Sequence, residues 1–190
     1  MNTPSSSNTA AAPLWRPAIV LAGVSLLGFG LLYSLTGAGL GSLLFPHQAG
    51  GSLIERDGKV IGSSLVAQPF ADDRYFQSRP SAAGYDVMAL AGSNQARTNP
   101  DLRARIDQAR AAVASREGVA PAEVPSDLVT QSGGGIDPHL SPEAIRIQIA
   151  RVARVRGLSV SEVEQLVAAH TEAPQFGLLG APRINVLELN

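Results

Sequence analysis

The chain has no cysteine, and aromatic side chains make up only 5% of it. Without thiols, disulfide frameworks, thiolate metal sites and a cysteine nucleophile are all excluded, though no redox compartment is thereby assigned. So few rings leave no material for a base-stacking platform or a carbohydrate-binding wall. Charge is scarce in one region above all. From Met1 to Ile54 the only charged side chain is Arg16, and residues 18–45 hold no Asp, Glu, Lys, Arg or His. A formal net charge of -1 over 190 residues gives no cationic excess for a nucleic-acid partner. That length has room for one folded domain together with a tail or an anchor.

The uncharged run consists mainly of Leu, Ile, Val, Ala and Gly. A bilayer core is crossed by about 20 predominantly apolar residues as helix, because its backbone groups must be bonded internally. Residues 18–40 meet that length, and Trp15 and Arg16 suit an interfacial position at one end. A cleaved signal peptide is the rival reading. Its apolar core is shorter, and Thr36-Gly37-Ala38 matches a cleavage site poorly. Arg16 and the amino terminus make the N-terminal flank the more positive, which predicts that this flank faces the cytoplasm and that the C-terminal bulk of the chain is exported. Gly30, Ser34 and Ala38 recur every fourth residue, a spacing that allows close helix–helix approach in lipid. The organisation expected is a disordered tail over 1–15, a transmembrane helix and flank over 16–45, and an exported domain over 46–190. Its fold class is α/β (α+β) behind a single N-terminal transmembrane helix.

Within the domain, Lys59 to Phe70 reads as one or two strands meeting at a turn at Gly62, and Asp72 to Thr98 as long structured loops. Asn99-Pro100 opens a helix with Leu102, Ile106, Ala109 and Val113 on one face, ended by Gly118. Leu128-Val129-Thr130 is a short apolar segment before the flexible run from Ser132 to Gly135. Ser141-Pro142 opens a second helix that Gly157 stops. Ile145, Ile149, Val152 and Ala153 form its buried stripe, with Arg146, Arg151 and Arg154 off it. Ser159 and Glu162 make a capping box for a third helix, with Leu158 stapled onto Val163, and Val163, Leu166, Val167 and His170 on one face. A strand from Ile184 through Leu189 is expected at the end.

Few residues here suit chemistry. Ser132, Asp137 and His139 supply the residue types of a hydrolase triad, but one short loop rarely arranges such a relay, and no Gly-x-Ser-x-Gly elbow is present. Asp137 and His139, with Ser141 as a helix cap, read instead as a structural motif. The glycine triplet lacks the Gly-Lys-Ser/Thr of a P-loop. His47, His139 and His170 are not at metal-ligand spacing, so no metal site is expected. Ile149 to His170 has the layout of a helix-turn-helix regulator, but its second helix carries Glu162 and Glu164 and no Lys or Arg, which a helix facing phosphates should not.

A series of segments then points to one family. Tyr75-Phe76-Gln77-Ser78-Arg79-Pro80-Ser81 resembles the Tyr-Phe-x-x-Arg-Pro-Ser block of KdpC, a subunit of the potassium-transporting P-type ATPase. Gly92-Ser93-Asn94 with Thr98-Asn99-Pro100, Asp127 to Thr130 with Ile136 to Pro142, Arg151-Val152-Ala153, Arg156-Gly157-Leu158, His170-Thr171-Glu172 and Pro182 to Leu187 continue the likeness in order. Asp86, Gly134, Ala181 and Gln95-Ala96-Arg97 depart from the family pattern locally.

The resemblance implies a non-catalytic accessory subunit with no cofactor of its own, ATP and K+ being handled by its partners. Those partners are a channel-like potassium-binding subunit, an ATP-hydrolysing subunit and a small membrane peptide. It implies a bacterial inner-membrane protein with a periplasmic domain, and a catalytic-chaperone role that raises ATP affinity in the hydrolysing subunit. One acid-free span is no ion pathway, and the chain has no Asp-Lys-Thr-Gly phosphorylation motif. An anchored exported binding module unattached to any pump is the alternative.

Overall fold

The uncharged run forms one helix, α1 (Trp15–Leu44), in the computed structural model, which describes residues 14–190. The tail expected over 1–15 lies, up to residue 13, outside the described residues. At about 1.5 Å per residue α1 is about 45 Å long, enough to cross a hydrocarbon core of about 30 Å. None of its most apolar stretch is covered by protein. A helix apolar all round and uncovered suits lipid as its solvent. Leu26–Leu32 winds in wider π-type turns. Phe45 leaves the helical region at φ -134° because Pro46 comes after it and disfavours that region, and a single turn, α2 (Pro46–Ala49), comes next.

Residues 51–190 form a separate unit. It opens with an antiparallel hairpin, β1 (Leu53–Arg56) and β2 (Lys59–Ser63). Its turn is Asp57-Gly58, both residues at positive φ (53° and 72°), the left-handed pair that a two-residue hairpin requires. Gly62 is therefore not the turn. It lies in β2 opposite Ile54, where a Cβ would strike the Gln68 amide and reach Leu187 Cδ2 at 2.8 Å. Residues 64–99 form no helix or strand: the strand expected from Lys59 to Phe70 stops at Ser63, while 72–98 is loop as its Gly, Ser, Asn and Pro content predicts.

The helix signals are realised closely. Asn99 Oδ1 accepts from the Asp101 amide at 2.8 Å, α3 spans Pro100–Glu117, and Gly118 closes it at φ 69°. Ser141 Oγ accepts from the Ala144 amide at 3.1 Å to start α4 (Pro142–Arg146). The helix expected to continue to Gly157 breaks at Ile147-Gln148 and resumes as α5 (Ile149–Arg156). Gln148 is fully buried there, its side chain bonded to the Gln77 main chain and to Ala144 O. In α6 (Val160–Ala169) the Ser159–Glu162 capping box forms. Val163 and Val167 are buried, but Leu166 and His170 are exposed, so the apolar stripe is narrower than the pattern suggested. Leu158, the expected staple, is 38% exposed.

A three-stranded antiparallel sheet closes the fold in the order β3 (His139–Leu140), β5 (Arg183–Asn185), β4 (Thr171–Glu172). The final strand stops at Asn185 and does not reach Leu189. Asn185 Oδ1 accepts from the Leu187 and Glu188 amides and turns the chain into α7 (Val186–Leu189). Leu140, Ile145, Ile149, Val152, Val163, Ile184 and Val186 form the core with Phe76 and Leu128.

One residue reverses expectation. Arg151, placed by helical spacing off the stripe, is 3% exposed. Its Nε donates to Glu117 Oε2 at 2.8 Å and its Nη2 to Gln148 Oε1 at 2.9 Å, while Nη1 donates to the carbonyls of Asp73 and Tyr75. Removing one partner of a buried ion pair strands the other charge, at about 3–5 kcal/mol. Glu117→Leu is expected to cost that much in chemical denaturation monitored by circular dichroism. A loss below about 1 kcal/mol, the range of exposed pairs, would show that the pair does not act as a buried one.

Candidate functional site

Sequence reasoning nominated two places, and the structure treats them differently. Gly30, Ser34 and Ala38 are exposed on α1, with no other part of the described chain against them. Nothing lies within 4 Å of a Cβ built on Gly30. The surface is open and smooth, of the kind that another helix can approach closely.

The second place is the loop before β3. Asp137 lies at its centre. Its Oδ2 accepts from Arg79 Nη1 at 3.0 Å, its Oδ1 accepts from the His139 amide at 3.0 Å, and His139 Nδ1 stands 3.5 Å from that same oxygen. Buried Ser132 turns its Oγ toward the Asp137 amide, which donates to it at 3.5 Å. Ser132 and His139 share no hydrogen bond, so the three side chains do not form the nucleophile–base–acid relay that hydrolysis needs. Ser141, the fourth residue of the group, caps α4, and its amide donates to Asp127 Oδ2 at 2.8 Å. The loop thus hydrogen-bonds Arg79 through Asp137, and Arg79 Nη2 also reaches Thr130.

Of the glycine triplet, Gly135 alone has a packing reason, since a Cβ on Gly133 or Gly134 would meet nothing within 4 Å. Gly135 has φ 76°, and a Cβ there would come within 2.9 Å of Ala83 Cβ and 3.1 Å of Ala91 O. Ser81 Oγ donates to Gly135 O, so the 81–92 loop lies directly on the triplet. Tyr85 OH donates to Arg79 O at 2.7 Å, and burial raises that phenol above its ordinary pKa. Arg79 was not anticipated as a partner of Asp137, nor Tyr85 and Thr130 as partners of Arg79. The available signal was a lone arginine beside proline in the Tyr-Phe-x-x-Arg-Pro-Ser block. Glu117 and Gln148 carried none, since a glutamate at a helix end and a glutamine within one both read as surface residues.

Among the described residues, no group of three or more His, Cys, Asp or Glu side chains is arranged to hold a metal ion. With α1, the architecture defines a class: a mixed helix-and-sheet domain behind one helix long and apolar enough to span a membrane. The sequence profile of KdpC, described as K+-transporting ATPase, c chain, matches residues 15–190. The potassium-transporting ATPase KdpC subunit of Xanthomonas campestris pv. campestris (strain B100) is 62% identical over 175 residues, covering 92% of this chain and 84% of that protein. The KdpC subunit of Methylococcus capsulatus (strain Bath) is 52% identical over 179 residues, covering 93% and 94%. The chain belongs to the KdpC family, and so to the subunits of the K+-transporting ATPase.

The His139 hydrogen bond, together with Arg79, holds the Asp137 carboxyl below its ordinary pKa against a desolvation that opposes them. A depressed carboxylate stabilises the fold above its unfolded pKa of about 3.9, and that stability is lost as pH falls through the folded value. Asp137→Asn should therefore melt below the parent at neutral pH, and the gap should close below about pH 4. A gap unchanged in acid would assign the loss to shape and not to charge.

Proposed function

We propose that the chain is a non-catalytic accessory subunit of an ATP-driven, high-affinity potassium uptake pump, anchored by α1 and holding the complex together. The observation that carries this reading is α1 itself. It is apolar on every side, uncovered, and lined by Gly30, Ser34 and Ala38 at close-packing spacing. Its partners in this reading are the channel-like potassium-binding subunit, the ATP-hydrolysing P-type subunit and a small membrane peptide. K+ and ATP are handled by those partners. Ser132, Asp137, His139 and Ser141 act as scaffold, because each is engaged in loop or helix-start hydrogen bonds.

The domain is exported in this reading, with the N-terminus cytoplasmic and residues beyond about 45 periplasmic. ATP is cytoplasmic, so assistance to ATP binding reaches the hydrolysing subunit through membrane helices, as a coupling free energy between distant sites.

Gly30→Leu with Ser34→Leu is expected to leave membrane insertion intact and to reduce co-purification of the other pump subunits in mild detergent. Unchanged co-purification would make this face lipid-facing only. For topology, the absence of native cysteine allows a single reporter at Asp107, whose side chain is 74% exposed on α3. Asp107→Cys should react with a membrane-impermeant thiol reagent in cells with a permeabilised outer membrane. Reaction only after disruption of the inner membrane would reverse the orientation.

A further inference from the structure

A second cluster, remote in sequence from the Asp137 loop, has no part in the scaffold reading. Three guanidinium groups, those of Arg56, Arg74 and Arg156, line one cleft of ≈ 550 Å³. No acidic side chain is among its lining residues. Tyr75 lies at its centre, with Arg74 Cζ 5.9 Å and Arg156 Cζ 5.3 Å from the ring centroid. Stacking on one ring fixes two of the guanidiniums in place.

Their charges are only partly answered. Arg74 Nε and Nη2 donate to Asp72, whose carboxyl is held below its ordinary pKa by that contact. Arg156 Nε donates to Arg74 O at 2.7 Å and its Nη2 to Asn190 O at 3.3 Å. The side chain of Arg56, at the end of β1, has no hydrogen-bond or ion-pair partner among the described residues. Even with Asp72 set against Arg74 and the Asn190 main-chain oxygen against Arg156, Arg56 is left uncompensated. Converging cations of this kind repel one another, and an anion with several acceptor oxygens turns that repulsion into binding.

The apolar surroundings narrow the class of anion. Val155 and Leu158 line the same cleft, at 42% and 38% exposure. An adjoining groove of ≈ 180 Å³ shares Arg56, Tyr75 and Asn190 and is otherwise lined by Ile61, Phe70 and Leu187 with one polar side chain, Gln68. A cationic mouth running into apolar walls matches a phosphate ester that carries hydrocarbon. It matches poorly with inorganic phosphate, which gains nothing from the walls, or with an acidic peptide, which would place polar main chain against them. Supply favours the same occupant. Residues 45–52 join α1 to the hairpin that bears Arg56, a tether of at most about 30 Å.

We propose that this cleft binds the headgroup phosphate of an anionic phospholipid, with Arg56 as the specificity-determining cation. The inference rests on α1 as a membrane anchor but not on the pump assignment. The test is native mass spectrometry of the full-length chain in mild detergent, titrated with phosphatidylglycerol or with phosphatidylcholine. The parent protein should retain phosphatidylglycerol in preference to phosphatidylcholine. Arg56→Gln, at an exposed position without native partners, should weaken that retention about fivefold, equivalent to about 1 kcal/mol for one basic group at an anionic surface. Arg16→Gln, near the start of α1, separates the other cation that could hold lipid, and should leave most of the preference intact.

Loss of the preference in Arg16→Gln with none in Arg56→Gln would overturn the proposal. So would displacement of phosphatidylglycerol from the parent by inorganic phosphate alone, added to the same sample. An Arg56→Gln chain that keeps its lipid but loses the other pump subunits would make the cleft a protein contact and overturn it as well.

Discussion

The domain beyond α1 depends on one buried cation. Arg151 uses its guanidinium to tie three separate stretches to α5: the end of α3 through Glu117, the irregular 73–75 segment through two carbonyls, and the α4–α5 break through Gln148. A guanidinium suits this position because its planar fork can satisfy several acceptors in different directions at once. Hydrophobic contact cannot substitute here, since the acceptors include main-chain carbonyls of a segment that has no ladder of its own. Buried guanidinium N–H groups left unpaired are costly, so Arg151 sets where that segment can lie.

The same logic extends to residues 64–99, which have neither helix nor strand yet carry the distinctive Tyr75–Ser81 block. Side-chain amides replace the missing backbone ladder. Gln148 accepts from the Gln77 amide, Asn190 both accepts from and donates to the Phe76 main chain, and Asn185 donates to Ser64 O. Phe76 is thereby held in the core and Arg79 is delivered to Asp137. A long loop with this many fixed partners is a structured surface, as expected where loops carry recognition.

The two parts of the chain answer to different solvents. In α1, internal hydrogen bonding and an apolar exterior suffice, and no charge from residue 18 to residue 45 disturbs them. In the domain, water screens the surface, and specificity comes from a few desolvated polar groups set among aliphatic side chains. Membership of the KdpC family fits this division, with membrane contacts assigned to the helix and the domain free to present polar and cationic surfaces. The arginine-lined cleft belongs to the second kind of surface, and one of its residues, Arg56, follows soon after α1 in chain order.

The local signals were legible because they act within a few residues. Asn99, Ser141 and Ser159 begin helices by bonding amides two or three positions on, Gly118 and Gly157 end them at left-handed φ, and Ile149, Val152 and Ala153 face the core by the helical period of α5. The Asp57-Gly58 turn is equally local. Gly62, the turn expected from the sequence, is constrained instead by the approach of Leu187 from the far end of the chain. What tertiary structure alone decided were the contacts between distant segments. Arg151 is buried only because Glu117 arrives 34 residues earlier in the chain, and the last strand stops at Asn185 because that side chain bonds the Leu187 amide while reaching back to Ser64. Helical period can place a residue on a face. It cannot say which partner, if any, will be waiting there.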